Sequence, residues 1–222
     1  MLYLILNLID EETVKKLTRQ VMQNTNWKDG RYSSTYRTSG WKKNIQLPGK
    51  LEQDGESIVK TALINNKRIM RYTRIKKTHS IMFTRTGEGM FYRTHLDTPI
   101  VGDGRRDLSF TLFLNDSSSY EGGELVLKID PETKIIKLNA GQVIIYPTQY
   151  LHEVREVTKG ERLVSVGWIE SEIPEQENRY ILSLLDEARA NMQKENDLGK
   201  DNKDIMNKLI VAYNMLYKRF SG

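Results

Sequence analysis

The chain has 222 residues, a net charge of +5, 38% hydrophobic and 28% charged residues. That balance suits one domain of good size with a smaller appendage and excludes a disordered chain. There is no cysteine, which excludes disulfides, cysteine–zinc sites and cysteine nucleophiles.

Met1–Ile9 is apolar but short, with neither a basic leader nor a small-residue cleavage site. It reads as a first strand rather than a signal peptide. No run reaches transmembrane length, so the expected place is the cytoplasm and no membrane partner is implied. Asp10-Glu11-Glu12 opens an amphipathic helix, with Asp10 as cap and Val14, Leu17, Val21 and Met22 as its apolar face. Residues 27–41 are rich in Gly, Ser, Thr and Tyr. They read as extended hairpin or loop, either a substrate-side flap or ordinary aromatic packing. In the run Asn44–Pro48, the proline disfavours helix at Leu47. Asn44 and Gln46 then project together from extended chain, as buried anchors or as substrate hydrogen bonders.

Leu51, Ile58, Val59, Ala62 and Leu63 predict a second helix near Lys50–Asn65, with Gly55 inside it. Arg68–Thr86 alternates as a strand, with Ile81 and Phe83 on one face. Lys67, Arg68, Arg71, Arg74, Lys76 and Lys77 read as a solvated strand face and loop; the sharper reading is a surface for an acidic partner such as nucleic acid. His79 reads as a packed or surface polar residue. Asp103-Gly104 marks a turn, and Leu108–Leu114 a strand with one polar-tolerant face.

Glu121–Glu124 is a tight turn into a strand at Leu125–Ile129. Asp130–Thr133 is a hairpin connection, and Lys134–Leu138 returns. Gly141 begins a strand to Tyr146. Val154–Val157 and Arg162–Ile169 flank a turn at Thr158–Glu161. Short strands with regular turns, after two helices, give a mainly β, α+β chain: a sandwich or jelly roll with helices outside. After Pro174 the period becomes helical. Tyr180, Ile181, Leu184, Leu185, Ala188 and Met192 form one stripe; Ile205, Met206, Leu209, Ile210, Tyr213, Leu216, Tyr217 and Phe220 form another, across a polar loop at 194–203. The two helices make a hairpin packed on the sheet, or a homodimer surface. The expected division is 1–171 for the main domain and 172–222 for the helical extension.

The chemistry centres on His95-Leu96-Asp97. Residues two apart on a strand share a side, so an imidazole and a carboxylate aim at one point. His152 follows the apolar run 142–146 and is the candidate third ligand. Two histidines and a carboxylate are the facial ligand set of non-haem Fe(II) oxygenases; alone, the set also suits a hydrolytic zinc. Arg162 stands ten residues further on, in a strand-like run ending at Trp168. A guanidinium there can hold a dicarboxylate through two bonds. Tyr92 stands three residues before His95.

Together with Asn44–Pro48, Asp107–Leu114, Tyr120-Glu121-Gly122-Gly123-Glu124-Leu125 and Leu151–Val154, these residues resemble the PKHD-type (prolyl/lysyl hydroxylase-domain) Fe(II)/2-oxoglutarate dioxygenases, a prolyl 4-hydroxylase-like group. The similarity covers roughly Met1 to Leu185. It implies a double-stranded β-helix, or jelly roll, with Fe(II) on His95, Asp97 and His152. It places Arg162 on the far carboxylate of 2-oxoglutarate, with Thr111 or Phe113 facing the cosubstrate and Tyr92 bonding it or lining the substrate channel. It implies use of O2, support by ascorbate, and hydroxylation of a prolyl or lysyl side chain of a peptide or protein, with release of succinate and CO2. Asn44, Gln46 and Trp168 are the candidates for the substrate wall. Halogenating relatives lack the carboxylate that Asp97 supplies. Nucleic-acid demethylases of the same fold typically repeat an arginine six residues after the first; Trp168 stands there, which speaks against them. A non-catalytic jelly-roll module would be expected to lose a ligand or the arginine, and none is lost. Animal oxygen-sensing prolyl hydroxylases carry tyrosines where Thr86 and Phe113 stand here, which leaves the second partner of the far carboxylate open.

Overall fold

The computed structural model describes residues 3–33, 40–48, 55–102, 104–194 and 200–221. In chain order come β1 (Leu4–Asn7), α1 (Glu11–Gln23), β2 (Lys28–Asp29), a 3-10 turn at Gly30–Ser33, β3 (Lys42–Lys43) and β4 (Ile45–Pro48). Next are α2 (Gly55–Asn65), α3 (Lys67–Thr73), β5 (Ile75–Gly87), β6 (Phe91–His95), β7 (Ile100–Val101), β8 (Gly104–Arg105) and β9 (Leu108–Phe113). They are followed by β10 (Tyr120–Gly122), β11 (Leu125–Ile129), β12 (Glu132–Ile136), β13 (Gln142–Pro147), β14 (Leu151–Val154) and the long β15 (Val157–Ser171). Two helices, α4 (Gln176–Lys194) and α5 (Lys200–Phe220), close the chain.

Among the described residues the strands pair antiparallel into two large facing sheets and a separate two-stranded ladder, β7-β8. The major sheet runs β1-β13-β9-β15-β5-β4-β2, with β10 also on β15; the minor sheet runs β12-β11-β14-β6-β3. This is the double-stranded β-helix, with helices on the outside. One core lies between the major sheet and the N-terminal helices. It joins Leu17 and Val21 of α1, Val59 and Leu63 of α2, and Ile69 of α3 to Ile81, Phe83 and Phe110. A second core lies between the sheets, where Phe113, Ile144 and Val164 meet Leu125, Leu127 and Ile136. Each such fully buried side chain contributes roughly 1.5–3 kcal/mol. Because the major sheet has a core on each face, all six residues of β9 are buried, as expected for a strand covered on both sides.

α1 begins where the sequence places it. The Asp10 carboxylate accepts from the Thr13 N–H at 2.8 Å, satisfying a free donor of the first turn. Val14, Leu17 and Val21 face inward, but Met22 is exposed. Of the expected helix near Lys50–Asn65, residues 50–54 lie outside the described residues. So do 34–39 of the expected flap, Asp103 of its turn and 195–199 of the polar loop.

Three expectations are corrected. The strand expected over Arg68–Thr86 begins only at Ile75; Lys67–Thr73 is helical. Asn66 is the cause: its side chain accepts from the N–H groups of Arg68 and Ile69, and Ile69, Tyr72 and Thr73 are buried at helical spacing. Most of that basic segment therefore sits on a helix and its cap. The expected turn at Thr158–Glu161 is instead part of β15, with Lys159 and Gly160 paired to Glu121 and Tyr120 of β10. Finally, Tyr180, Ile181 and Leu184 of α4 are exposed, and the inward positions are Leu182 and Arg179. Polar contacts turn the helix: Arg74 of the α3 cap pairs with Asp186, and Arg179 donates to the carbonyls of Ile173 and Pro174. Among the described residues, no helix is long and apolar enough to cross a membrane.

Gly141 fastens β1 to the sheet. Its carbonyl accepts from the N–H groups of Leu8 and Ile9, and its own N–H donates to Phe113. Its φ is +82°, and a Cβ there would stand 2.4 Å from the Ile9 carbonyl oxygen. Gly141→Ala is therefore expected to destabilise the fold by about 1–3 kcal/mol. Urea unfolding would show this as a lower midpoint at unchanged slope.

Candidate active site

The minor sheet brings the two histidines together. β6 and β14 pair antiparallel with His95 directly opposite His152, and opposed residues of such a pair point to the same face. Their ring centroids are 4.2 Å apart. Asp97, two residues past His95, turns its carboxylate to the same spot. Its oxygens lie 3.7 Å from each histidine Nε2. The three ligand-type atoms lie within 4.8 Å of one another.

The imidazoles are oriented by their own strands. His95 Nδ1–H donates to the Arg93 carbonyl at 2.8 Å, and His152 Nδ1–H to the Tyr150 carbonyl at 3.0 Å. A carbonyl can only accept, so each Nδ1 carries a proton and Nε2 is the nitrogen turned to the centre. Burial, followed by the neighbouring His152, holds the pKa of His95 down to about 3. It is thus neutral and ready to ligate at physiological pH. Burial alone would raise the pKa of Asp97. The two histidines, the Trp168 N–H and the Ser109 hydroxyl outweigh it and keep the carboxyl below its ordinary value.

The major sheet holds the carboxylate. Asp97 Oδ2 accepts from Ser109 Oγ of β9 at 2.9 Å and from Trp168 Nε1 of β15 at 2.8 Å. Arg106 lies over the Trp168 ring, 3.7 Å from its centroid. On the other side, the Tyr92 ring stacks on His95 with centroids 3.5 Å apart. Lys42 Nζ sits 4.5 Å from the centroid of the Tyr92 ring. Burial lowers the pKa of this lysine to about 8, against the opposing pull of Asp97 and Asp29.

Arg162 lies on β15 opposite Thr86 of β5 and is only 2% exposed. Its guanidinium lies over Phe113, 5.2 Å from the ring centroid. Among the described residues, its Nε has no hydrogen-bond partner. A buried charge left this way is costly, so the site is suited to an anion. The Gly-Gly pair in front of β11 makes room for it. A Cβ on Gly122 would meet the Glu156 carbonyl oxygen at 2.0 Å, and one on Gly123 would crowd Val157, Tyr120 and Arg162.

A cavity of about 420 Å³ joins these parts, within the range of roughly 300–1,000 Å³ usual for ligand sites. All nine residues singled out in the sequence lie on its wall: His95, Asp97, His152, Arg162, Tyr92, Thr111, Asn44, Gln46 and Trp168. Asn44 and Gln46 flank β4 position 45, and Asn44 is buried against Gly30. Leu96 and Val101 line the same cavity yet are exposed, and so mark its mouth. Sequence reasoning missed Lys42, Arg106, Ser109 and Tyr146, which also line it. Ser109 alone carried a signal, standing at period 2 from Thr111.

Comparison with known proteins places this arrangement. Residues 81–170 match the family described as the 2OG-Fe(II) oxygenase superfamily. A PKHD-type hydroxylase of Prochlorococcus marinus is 37% identical over 99% of each chain. One from another strain is 43% identical over 79% of this chain and 80% of its own. Among solved structures, a prolyl hydroxylase from Trichoplax adhaerens, in complex with a hypoxia inducible factor peptide fragment, superposes with a TM-score of 0.61 at 18% identity. That superposition covers 76% of this chain and 83% of the other and shows a shared fold. Full-length identity carries the further step: the chain belongs to the PKHD-type hydroxylases of the 2OG-Fe(II) oxygenase superfamily and is a dioxygenase that uses Fe(II), 2-oxoglutarate and O2.

Proposed function

We propose that His95, Asp97 and His152 hold the iron, that Arg162 holds the far carboxylate of 2-oxoglutarate, and that the enzyme hydroxylates a prolyl (or lysyl) side chain of a peptide or protein. One observation carries the assignment. A converging His-Asp-His cluster and a buried arginine without an Nε partner lie on the wall of one cavity. Two imidazole nitrogens and a carboxylate are the donor set that Fe(II) takes while keeping positions open. When bound, the iron supplies O2 activation coupled to oxidation of 2-oxoglutarate to succinate and CO2.

The chain's own residues bind, orient and exclude water. The carbonyls of Arg93 and Tyr150 hold both rings with Nε2 inward before a metal arrives. Ser109 and Trp168 stop the Asp97 carboxylate from rotating. Phe113 shields the guanidinium of Arg162 from solvent, which strengthens its attraction for a carboxylate. Burial pushes the pKa of Tyr146 far up, so its hydroxyl stays protonated beside that end of the cavity. The name of the curated relatives and the peptide held by the Trichoplax prolyl hydroxylase support the peptidyl reading. The amides of Asn44 and Gln46 suit a peptide backbone.

Lysate proteins incubated with enzyme, Fe(II), 2-oxoglutarate and ascorbate should gain one oxygen on prolyl residues. Asp97→Ala or His152→Ala should abolish both this and succinate formation, with the circular dichroism unchanged. Wild-type turnover in His152→Ala would remove the triad. Arg162→Ala should weaken 2-oxoglutarate binding by roughly 30- to several-thousand-fold, the loss of a charge-assisted pair in a dry site. Fe(II) affinity should hold, and Arg162→Lys should recover only part. An unchanged dissociation constant, measured anaerobically, would refute the role. Trp168→Phe keeps the ring but removes the donor to Asp97, and should cost about 10–100-fold in Fe(II) affinity by direct titration. Unaltered affinity would make the indole mere packing.

A further inference from the structure

Two further cations share the cavity. Lys42 and Arg106 line it with the triad and Arg162, and the dioxygenase chemistry uses neither. Lys42 is 3% exposed. Among the described residues, its Nζ donates to Ser33 Oγ at 2.9 Å, one bond for a group with three donors. The Arg106 guanidinium carbon lies over Trp168, 3.7 Å from its ring centroid. Its Nε is buried and has no hydrogen-bond partner among the described residues. A guanidinium over an aromatic face can still offer donors to a carboxylate. Asp97 attracts both cations, but its oxygens already face the two histidines, Ser109 and Trp168.

The charge of the loaded cavity does not balance. Its lining holds three cations, Lys42, Arg106 and Arg162, and one carboxylate, Asp97. Fe(II) and the 2-oxoglutarate dianion cancel. An excess of about two positive charges remains on the lining, only partly offset at Lys42 by Asp29, and unpaired charge is costly wherever water is thinned. The side chains that carry it flank the triad, Lys42 behind Tyr92 on His95 and Arg106 behind Trp168 on Asp97. Arg162 stands apart from them, over Phe113.

We propose that the substrate is an acidic peptide segment, with an Asp or Glu carboxylate beside the oxidised residue held by Arg106 and the Lys42 charge on the other flank of the triad adding to the attraction. This rests on the peptidyl hydroxylase reading above. The basic balance of the whole chain, net +5, adds attraction over longer range for such a segment.

The test uses the full chain loaded with Mn(II), a redox-inert stand-in for iron, and 2-oxoglutarate. Three pools of fluorescein-labelled, proline-centred peptides are titrated by anisotropy: Asp/Glu flanks, the isosteric Asn/Gln flanks, and Lys flanks. The acidic pool should bind about ten- to a hundredfold tighter than the amide pool, as expected for charge-assisted bonds. Arg106→Gln and Lys42→Met should each shrink that preference while the dissociation constant of 2-oxoglutarate is unchanged. Arg106→Lys should restore part of it. Equal binding of the acidic and amide pools overturns the proposal, as does preference for the basic pool. Absence of binding by every pool to protein that still takes up 2-oxoglutarate overturns it and leaves the dioxygenase assignment standing. Weakened 2-oxoglutarate binding in either variant overturns it by returning that cation to the cosubstrate. Wild-type protein that fails to bind 2-oxoglutarate refutes the Arg162 assignment instead.

Discussion

The site depends on the register of two strands. His95 and His152 meet because β6 and β14 pair with those positions opposite one another. A slip of one residue would send either imidazole to the other face of the sheet. The register is held from both sides, since β14 also pairs with β11 and β6 with β3. The register shifts between His152 and Val154, immediately beside the ligand position. The ladder thus fixes the rings' positions, and the Nδ1 bonds along each strand fix their rotation.

The carboxylate belongs to the other layer. Asp97 follows the end of β6, but its partners, Ser109 and Trp168, stand on β9 and β15 of the major sheet. The triad is therefore complete only when the sheets are packed at their correct separation. That separation is set by the apolar residues between them, Phe113, Ile144 and Val164 against Leu125, Leu127 and Ile136. Packing far from the iron site and the geometry of one ligand are in this way the same constraint. The helices play a quieter part, covering the outer face of the major sheet so that it need not face water.

Much of this was legible in the chain. The His-x-Asp spacing marked His95 and Asp97 as a pair, although β6 ends at His95 and Asp97 lies beyond it, and the strand that carries Arg162 and Trp168 could be seen from its alternation. What escaped was whatever arises across strands. Lys42 lies beside Tyr92 only because β3 pairs with β6, and no local pattern announces that. The same holds for Arg106, a loop residue brought over Trp168 by the fold. The errors at α3 and α4 have a second cause. A side-chain cap, Asn66, overrode an alternating pattern. On α4, ion pairs and carbonyl bonds drew Arg179 and Asp186 inward and left Tyr180, Ile181 and Leu184 outside, which a hydrophobic period cannot foresee. At Thr158–Glu161 a glycine suggested a turn, whereas Gly160 with φ +76° lies in a paired strand.

β15 acts as a ruler. Arg162, Val164, Val166 and Trp168 alternate along it and all line the cavity, so one face of one strand carries both the proposed cosubstrate anchor and the brace of Asp97. Positions on that face come only in steps of two residues, about 6.6 Å. A step of that size is far longer than one carbon–carbon bond. With the proposed anchor at Arg162, the length of diacid accepted would be quantised by the backbone. Taking a homologue one methylene longer would require reshaping the cavity around Arg162, since no neighbouring position on the strand offers a guanidinium at the intermediate distance.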